Sequence, residues 1–286
     1  IELKIDKEQP NMVAVASGFS LFHLPYLKAE KFPRIDVGNF ECKFALPITS
    51  MQRLIEKNRY TISLEDARYH LNGIYLHPIL ESNELRATAT DGHRLSSSII
   101  TLPKDAKNMQ PVIVPRKTIF ELSKIIADKE NELQIETSAT KIKFTIDGIT
   151  MVSKLIDANF PEYLPLIPYN NELYFSIFSS DLAQAVDRVT TILIAKSQAI
   201  EFIINGSELQ IQAGGDNQSL ANEKLEINSN MENFIIPFNA RYIIDIMSAI
   251  GNETNVSFKF SDQISSVLVQ AENDEKTDFV IMPMRV

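Results

Sequence analysis

The 286-residue chain contains a single cysteine, Cys42. One thiol cannot build an intramolecular disulfide framework or a multi-cysteine zinc site, and such sparing use fits a reducing compartment. The four histidines, His23, His70, His77 and His93, show no HExxH or HxxH spacing, which speaks against a metal centre. Nor do the nine glycines form a GxxxxGK[ST] loop or a GxGxxG turn, so no nucleotide cradle is visible and Gly214-Gly215 reads as a turn. Also missing is the apolar run of ~18 to 20 residues that spans a bilayer. Positive charge is short as well, with 28 Lys and Arg against 37 Asp and Glu, a net of −9. A chain of that sign is no basic nucleic-acid binder in bulk, and any contact with DNA requires a locally positive surface. The start of the chain is not a signal peptide. Ile1, Glu2, Leu3, Lys4, Ile5 and Asp6 alternate apolar with charged, which predicts a half-buried strand. Since the first residue is not Met, the chain is expected to begin inside a longer one.

What is present is an ordinary globular composition, 44% apolar and 23% charged, in a length that suits about two domains. Internal repeats organise it. FALPITSMQRLIEK (44–57) matches FSIFSSDLAQAVDR (175–188) at an offset of 131, and SNELRATA (82–89) matches GSELQIQA (206–213) at 124. VIVPRKTIFELSKII (112–126) matches FIIPFNARYIIDIMS (234–248) at 122. GFSLFHLPYLKAEKFPRI (18–35) resembles GITMVSKLIDANFPEYLPLI (148–167), with Phe32-Pro33 against Phe160-Pro161. The expected organisation is one partial unit, residues 1–39, followed by two full units, 40–168 and 169–286.

Each full unit reads as strand, helix, strands, helix, strands. The helices show single apolar stripes: Met51, Leu54 and Ile55; Ile119, Leu122 and Ile126; Leu182, Ala185, Val186 and Val189; Ile243, Ile246, Met247 and Ile250. A helix with one such stripe packs on a sheet, and Thr49 with Gln52 has the spacing of a capping box. The strands come in meander-like runs, so the expected class is α+β with antiparallel sheets. The helical segments 49–60, 115–130, 179–198 and 239–250 hold ten cations: Arg53, Lys57, Arg59, Arg116, Lys117, Lys124, Lys129, Arg188, Lys196 and Arg241. Against seven Asp or Glu these give +3, leaving −12 for the rest of a chain of net −9. For any single residue a solvated helix face explains the charge. Its recurrence across repeats favours contact with phosphates, without base reading.

No catalytic constellation emerges. Ser96, Ser97 and Ser98 stand near Asp91 and His93, but adjacent residues on a strand point to opposite faces and no nucleophile elbow is present. Asp91-Gly92 is a hairpin signal, and it leaves His93 and Arg94 unexplained. The apolar, Met-rich end, Phe279 to Val286, reads as a closing strand, an adaptable partner groove, or both.

Four motifs, RYxLNG (68–73), ATDGHRL (89–95), VIVPRK (112–117) and VIMPMR (280–285), together resemble the bacterial DNA polymerase III beta subunit, the replicative sliding clamp. The resemblance runs the whole chain in order. It implies repeated clamp-fold domains, with antiparallel sheets outside and two helices per domain lining a pore. It further implies a cytoplasmic, non-catalytic protein without cofactor or metal, closing as a homodimer around double-stranded DNA irrespective of sequence. The subunit contact in the family joins the first unit of one chain to the last of the other, so the chain as it stands is expected not to close the ring.

Implied partners are the DNA polymerase III catalytic subunit, the clamp loader, other polymerases and repair proteins, held through short peptides with a Gln and a hydrophobic pair. Carried over by motif, the peptide pocket consists of Leu71, Thr90, Gly92, His93, Arg94 and Leu95, then Pro161 and Leu166, then Asn239, Tyr242, Ser266, Val280, Ile281, Met282, Pro283, Met284 and Arg285. Arg53, Lys57, Arg68, Tyr69, His70, Arg116, Lys117, Lys124 and Arg188 would face DNA. The chain departs from the family at His70, where a second aromatic is frequent, and at Pro165, where Arg is common.

Overall fold

The computed structural model describes residues 1–5, 11–33, 38–193, 198–214 and 219–285. The chain divides into two compact units, Ile1–Gly38 and Asn39–Val286. The first is a three-stranded antiparallel sheet of β1 (Glu2–Ile5), β2 (Met12–Ser17) and β3 (Ser20–Pro25) in that order.

The second unit holds one element series twice. Residues 40–168 give β4 (Cys42–Pro47), α1 (Ile48–Asn58), β5 (Gly73–Ile79), β6 (Glu84–Thr90), β7 (Arg94–Thr101), β8 (Val112–Pro115), α2 (Arg116–Ile126), β9 (Glu132–Thr137), β10 (Lys141–Ile146) and β11 (Ile149–Lys154). Residues 169–285 give β12 (Leu173–Phe178), α3 (Ser179–Thr190), β13 (Ala199–Asn205), β14 (Glu208–Gly214), β15 (Leu220–Glu226), the short β16 (Asn228–Ser229), β17 (Phe234–Asn239), α4 (Ala240–Ile250), β18 (Asn255–Phe260), β19 (Val267–Ala271) and β20 (Asp274–Ile281). All pairings are antiparallel, which settles the class as α+β.

Two four-stranded sheets run β11-β10-β9-β4 and β15-β14-β13-β17. The third, β16-β12-β18-β19-β20-β7-β6-β5-β8, has nine strands and crosses from one half to the other. The crossing is the pairing of β20 with β7, from Thr277 opposite Ser98 to Ile281 opposite Arg94.

Period-2 and period-3.6 burial place the cores. In β4, Cys42, Phe44 and Leu46 are buried while their neighbours are not, as a strand with one covered face requires. Met51, Leu54 and Ile55 of α1 join Ile119, Leu122 and Ile126 of α2 in the core of the first half. Leu182, Ala185, Val186 and Val189 of α3 meet Ile243, Ile246 and Met247 of α4 in that of the second. Each fully buried aliphatic or aromatic side chain contributes roughly 1.5–3 kcal/mol, so the stripes hold the helices to their sheets.

Two expectations about helix ends fail. α1 starts at Ile48 behind Pro47, with no side-chain cap. Thr49 therefore lies inside the first turn and no capping box forms. Gln52 instead donates to Ile126 O (2.8 Å) and Ala127 O (3.2 Å), satisfying carbonyls at the far end of α2. α3 stops at Thr190 rather than continuing to 198, and Lys196 lies outside the described residues. The β-branched run Thr190, Thr191, Ile192 is poor helix sequence, and the Thr190 and Thr191 hydroxyls bond to Asp187 O and Arg188 O. In α4 the cap is real: Asn239 accepts from the Arg241 amide at 2.9 Å.

The three serines of β7 divide between faces. Ser96 donates to Lys57 O and Ser98 accepts from Asn58, both on α1, while Ser97 meets Thr88 across the sheet. Their hydroxyls fasten the strand to the structure around it.

Candidate functional site

The β6–β7 turn, Asp91-Gly92-His93, is built by one carboxylate. Asp91 Oδ1 accepts the amides of His93 (2.9 Å) and Arg94 (3.1 Å), and Thr90 Oγ1 donates to Arg94 O (2.7 Å). Gly92 has φ +91°, and a Cβ there would lie 2.6 Å from Nη1 of Arg68. The positive φ favours glycine, and any larger residue would also have to displace the Arg68 guanidinium. Arg68 spans this turn, donating to Asp91 O (3.2 Å) and pairing with Glu65 (3.1 Å).

Arg94 sits where the two halves meet. Its Nε donates to Asp91 Oδ2 (2.9 Å), one terminal nitrogen to Asp245 Oδ2 on α4 (2.7 Å), and the other to Tyr60 O (2.8 Å). The guanidinium lies 4.3 Å from the ring centroid of Tyr242 and 5.3 Å from that of Tyr60. Burial opposes its charge, yet the Asp245 and Asp91 carboxylates hold its pKa above the ordinary arginine value. Asp245 also receives Arg241 at 2.9 Å. Hydrogen bonds between charged partners at such distances are the stronger kind.

The chain end passes beside this junction. Beyond β20 the Met282 amide donates to His93 O and the Met284 amide to Pro237 O, both at 2.9 Å. The tail thus touches the turn of one half and β17 of the other, with Met282 exposed between them.

Below lies a small apolar cluster of Leu95, Val280, Leu268, Tyr163 and Ile167. Tyr163 and Ile167 belong to the link joining the halves. Tyr163 bonds to His77 Nε2 at 2.8 Å, and Tyr75 stacks on Phe160 (4.7 Å) and His77 (4.5 Å). Burial, then the charge of Arg86, lowers the His77 pKa to about 4, so its ring is neutral near pH 7. Farther along, Tyr169 donates to Asp278 Oδ2 (2.6 Å), and Asn171 to Lys259 O and Ser266 O. With its two ends so tied, the link leaves Pro161, Leu164 and Leu166 exposed.

Of the residues expected to form a pocket, the structure joins Thr90, Gly92, His93, Arg94 and Leu95 with Tyr242, Val280 and the tail from Met282 to Met284. Asn239 caps α4, which carries Tyr242, and Arg285 follows on the same tail. Pro161, Leu166 and Ser266 come in through the link and its Asn171 bridge. Leu71 is buried at the end of the 66–71 turn that carries Arg68. Ile281 is a correction. Successive side chains of β20 face opposite ways, so while Val280 reaches the link cluster, Ile281 is fully buried in the core of the second half and cannot line a groove.

The cations expected to face DNA have unequal fates. Arg53 grips Asp274 with two bonds (2.9 and 2.6 Å) and donates to Thr277 Oγ1 (2.8 Å). Lys57 donates to Ala249 O at 2.6 Å and lies 3.8 Å from Asp274. Burial raises the Asp274 pKa, but the bonds and charge of Arg53 outweigh it and hold the carboxyl below its usual range. Burial moves Lys57 below its ordinary value against the pull of Asp274. These two cations are thus engaged between the halves. Arg188 folds onto Glu223 (2.5 and 3.0 Å) and Lys124 onto Glu121 (2.9 Å). Arg116 and Lys117 make no ion pair among the described residues, and Tyr69 is exposed with His70 edge-on at 6.0 Å.

Sequence reasoning missed Asp245, Tyr60 and Asp274, and weighed Asp91 as a turn residue and a rejected catalytic partner but not as a partner of Arg94. The available signal for Asp245 was its place three residues after Tyr242 and four after Arg241, one face of a helix. Nothing local announces Asp274.

Residues 45–162 match the family model described as DNA polymerase III beta subunit, central domain, and 165–285 match its C-terminal domain. The beta sliding clamp of Caulobacter vibrioides (strain NA1000 / CB15N) is 34% identical over all of this chain and 77% of its own length. That of Escherichia coli (strain K12) is 32% identical over the whole chain and 76% of its own length. A crystal structure of a DnaN sliding clamp from Bartonella birtlesii bound to griselimycin superposes with a TM-score of 0.93 at 32% identity, covering 99% of this chain and 76% of that one. The Caulobacter crescentus pol III beta structure gives 0.90 at 34%, with the same coverages.

Proposed function

Since the chain belongs to the family of DNA polymerase III beta subunits, the sliding clamps, we propose that it encircles duplex DNA as a head-to-tail homodimer and tethers partners through the groove at the Arg94 junction. In the family's role it is a non-catalytic processivity clamp of DNA polymerase III, acting in DNA replication. The repeats support reading residues 1–39 as the C-terminal remnant of a first clamp domain, and 40–168 and 169–286 as the second and third. The two helices of each full domain are read as facing the DNA, where Arg116 and Lys117 have charge to spare for phosphates. Contacts of this sort position without reading sequence. Enclosure replaces affinity, so individual contacts stay weak and water-mediated, which permits sliding.

The groove is read as the seat of a short peptide with a Gln and a hydrophobic pair, presented by the polymerase catalytic subunit, the clamp loader, other polymerases and repair proteins. Met282, Leu166 and Pro161 offer apolar surface to the anchors, which supply most of the affinity in such clefts. The observation that carries this reading is the meeting of the 91–93 turn, α4 and the chain end at Arg94. The cytoplasm is the expected site of action, and no helix among the described residues is long and apolar enough to cross a membrane.

The test is topological. Full-length protein loaded by the clamp loader on a nicked circle should stay bound until the circle is linearised and then slide off. Release at the same rate from circular and linear DNA would overturn the encircling reading.

A further inference from the structure

We infer that Asp245 is a positioning residue for partner binding: it holds Arg94 against the Tyr242 ring and thereby fixes the floor of the groove. The inference rests on the groove reading given above and adds a residue that belongs to none of its four motifs.

The Asp245 side chain is only 14% exposed and stands between two guanidinium groups, Arg94 on Oδ2 (2.7 Å) and Arg241 on Oδ1 (2.9 Å). The two arginines differ. Arg241 is 65% exposed and lies four residues back on the same helix, where solvent leaves such a pair little strength. Arg94 is 11% exposed and comes from the other half of the unit, 151 residues away in sequence. A nearly buried guanidinium needs compensation for its lost hydration. Asp91 and Tyr60 O supply two of its contacts, but both belong to Arg94's own half. Within this set of bonds Asp245 alone ties the guanidinium to α4, the helix that carries Tyr242.

Without that carboxylate the cation would be left with the turn it already grips, and nothing charged would draw it over the Tyr242 ring. The turn, the tail held by His93 O, and α4 would keep their folds and their backbone ties, and lose the one that sets the guanidinium over the ring. Asp245 itself need not touch a partner.

The test measures binding of a fluorescein-labelled peptide, holding one Gln and a Leu-Phe pair, to the protein and to Asp245→Ala, Arg94→Ala and the double variant. Fluorescence anisotropy reports affinity, and thermal melting confirms each variant is folded. Asp245→Ala should weaken binding about tenfold, and the double variant should bind no worse than Arg94→Ala, the non-additivity expected of residues acting as one unit. Asp245→Asn, which keeps shape and an acceptor, should recover part of the loss and serves in place of the alanine variant if that fails to fold. A full additional loss in the Arg94→Ala background, or unchanged binding by Asp245→Ala, would overturn the inference and leave the groove reading intact. No binding by the unaltered protein would overturn the groove reading, and this inference with it.

Discussion

The halves 40–168 and 169–286 share their element order, their apolar stripes and their sheet patterns, yet they treat equivalent positions differently. β7 of the first half is covered by β20, whereas its counterpart β15 ends its sheet among the described residues. Lys57 of α1 reaches Ala249 O in the other half, whereas Arg188, its equivalent at the repeat offset of 131, folds back onto Glu223 of its own half. The scaffold is set by what is periodic. Charge and strand edges are set by which neighbour is present: β7 of the first half and β20 of the second have each other, while β11 and β15 end their sheets among the described residues.

The sharpest way to break the comparison is to cut into the shared sheet. Phe279 on β20 is buried in the second core, with its ring 6.3 Å from that of Tyr60 in the first half. Phe279→Ala should cost about 3–5 kcal/mol by cavity formation. Val152→Ala on β11, the first half's counterpart of β20, which ends its sheet among the described residues, should cost under about 1.5 kcal/mol. Urea denaturation of both variants checks this, and equal losses would contradict the asymmetry.

A second difference is acid sensitivity. By register His77 corresponds to Ile203, since Pro78 pairs with Leu85 as Ile204 pairs with Leu209. With a folded pKa of about 4 against an ordinary histidine value of 6.5, His77 takes up a proton in the unfolded chain first. Its contribution is therefore whole above pH 6.5 and lost progressively as pH falls toward 4, by roughly 3 kcal/mol. Melting temperature followed across that window should decline, and the decline should be shallower in His77→Phe. A wild-type slope in that variant would show that other groups govern acid unfolding.

Smaller effects separate the ion pairs. A double-mutant cycle on Arg53 and Asp274, whose side chains are 29% and 12% exposed, should give a coupling of about 1–2 kcal/mol. The same cycle on Arg188 and Glu223, where the arginine is 56% exposed, should give no more than about 1 kcal/mol. The Arg53 coupling should weaken as acid protonates Asp274, because that carboxyl's folded pKa is depressed and its stabilisation is lost as pH falls through it.

Most of the fold was legible because its signals are local. Met51, Leu54 and Ile55 mark a helix face, and the alternation of Cys42, Phe44 and Leu46 marks a strand, without reference to anything distant. The repeats then supplied the order of elements. Gln52 misled because its spacing from Thr49 satisfied a local rule, while its amide found carbonyls 74 and 75 residues on. The pairing of Arg53 is a different matter: Asp274 is 221 residues away, and no window of sequence holds both. In the candidate site, the turn and tail were readable as motifs. The β20–β7 pairing that brings them together, and the Asp245 bond beneath, are long-range facts of packing.

Hydrogen–deuterium exchange, with and without a peptide carrying one Gln and a Leu-Phe pair, tests the central claim most directly. The account predicts slower exchange concentrated in residues 90–95, 239–245 and 280–285, including the Met282 and Met284 amides, with β11 and β15 unchanged. Protection on β11 or β15, or none at the Arg94 junction under saturating peptide, would contradict it.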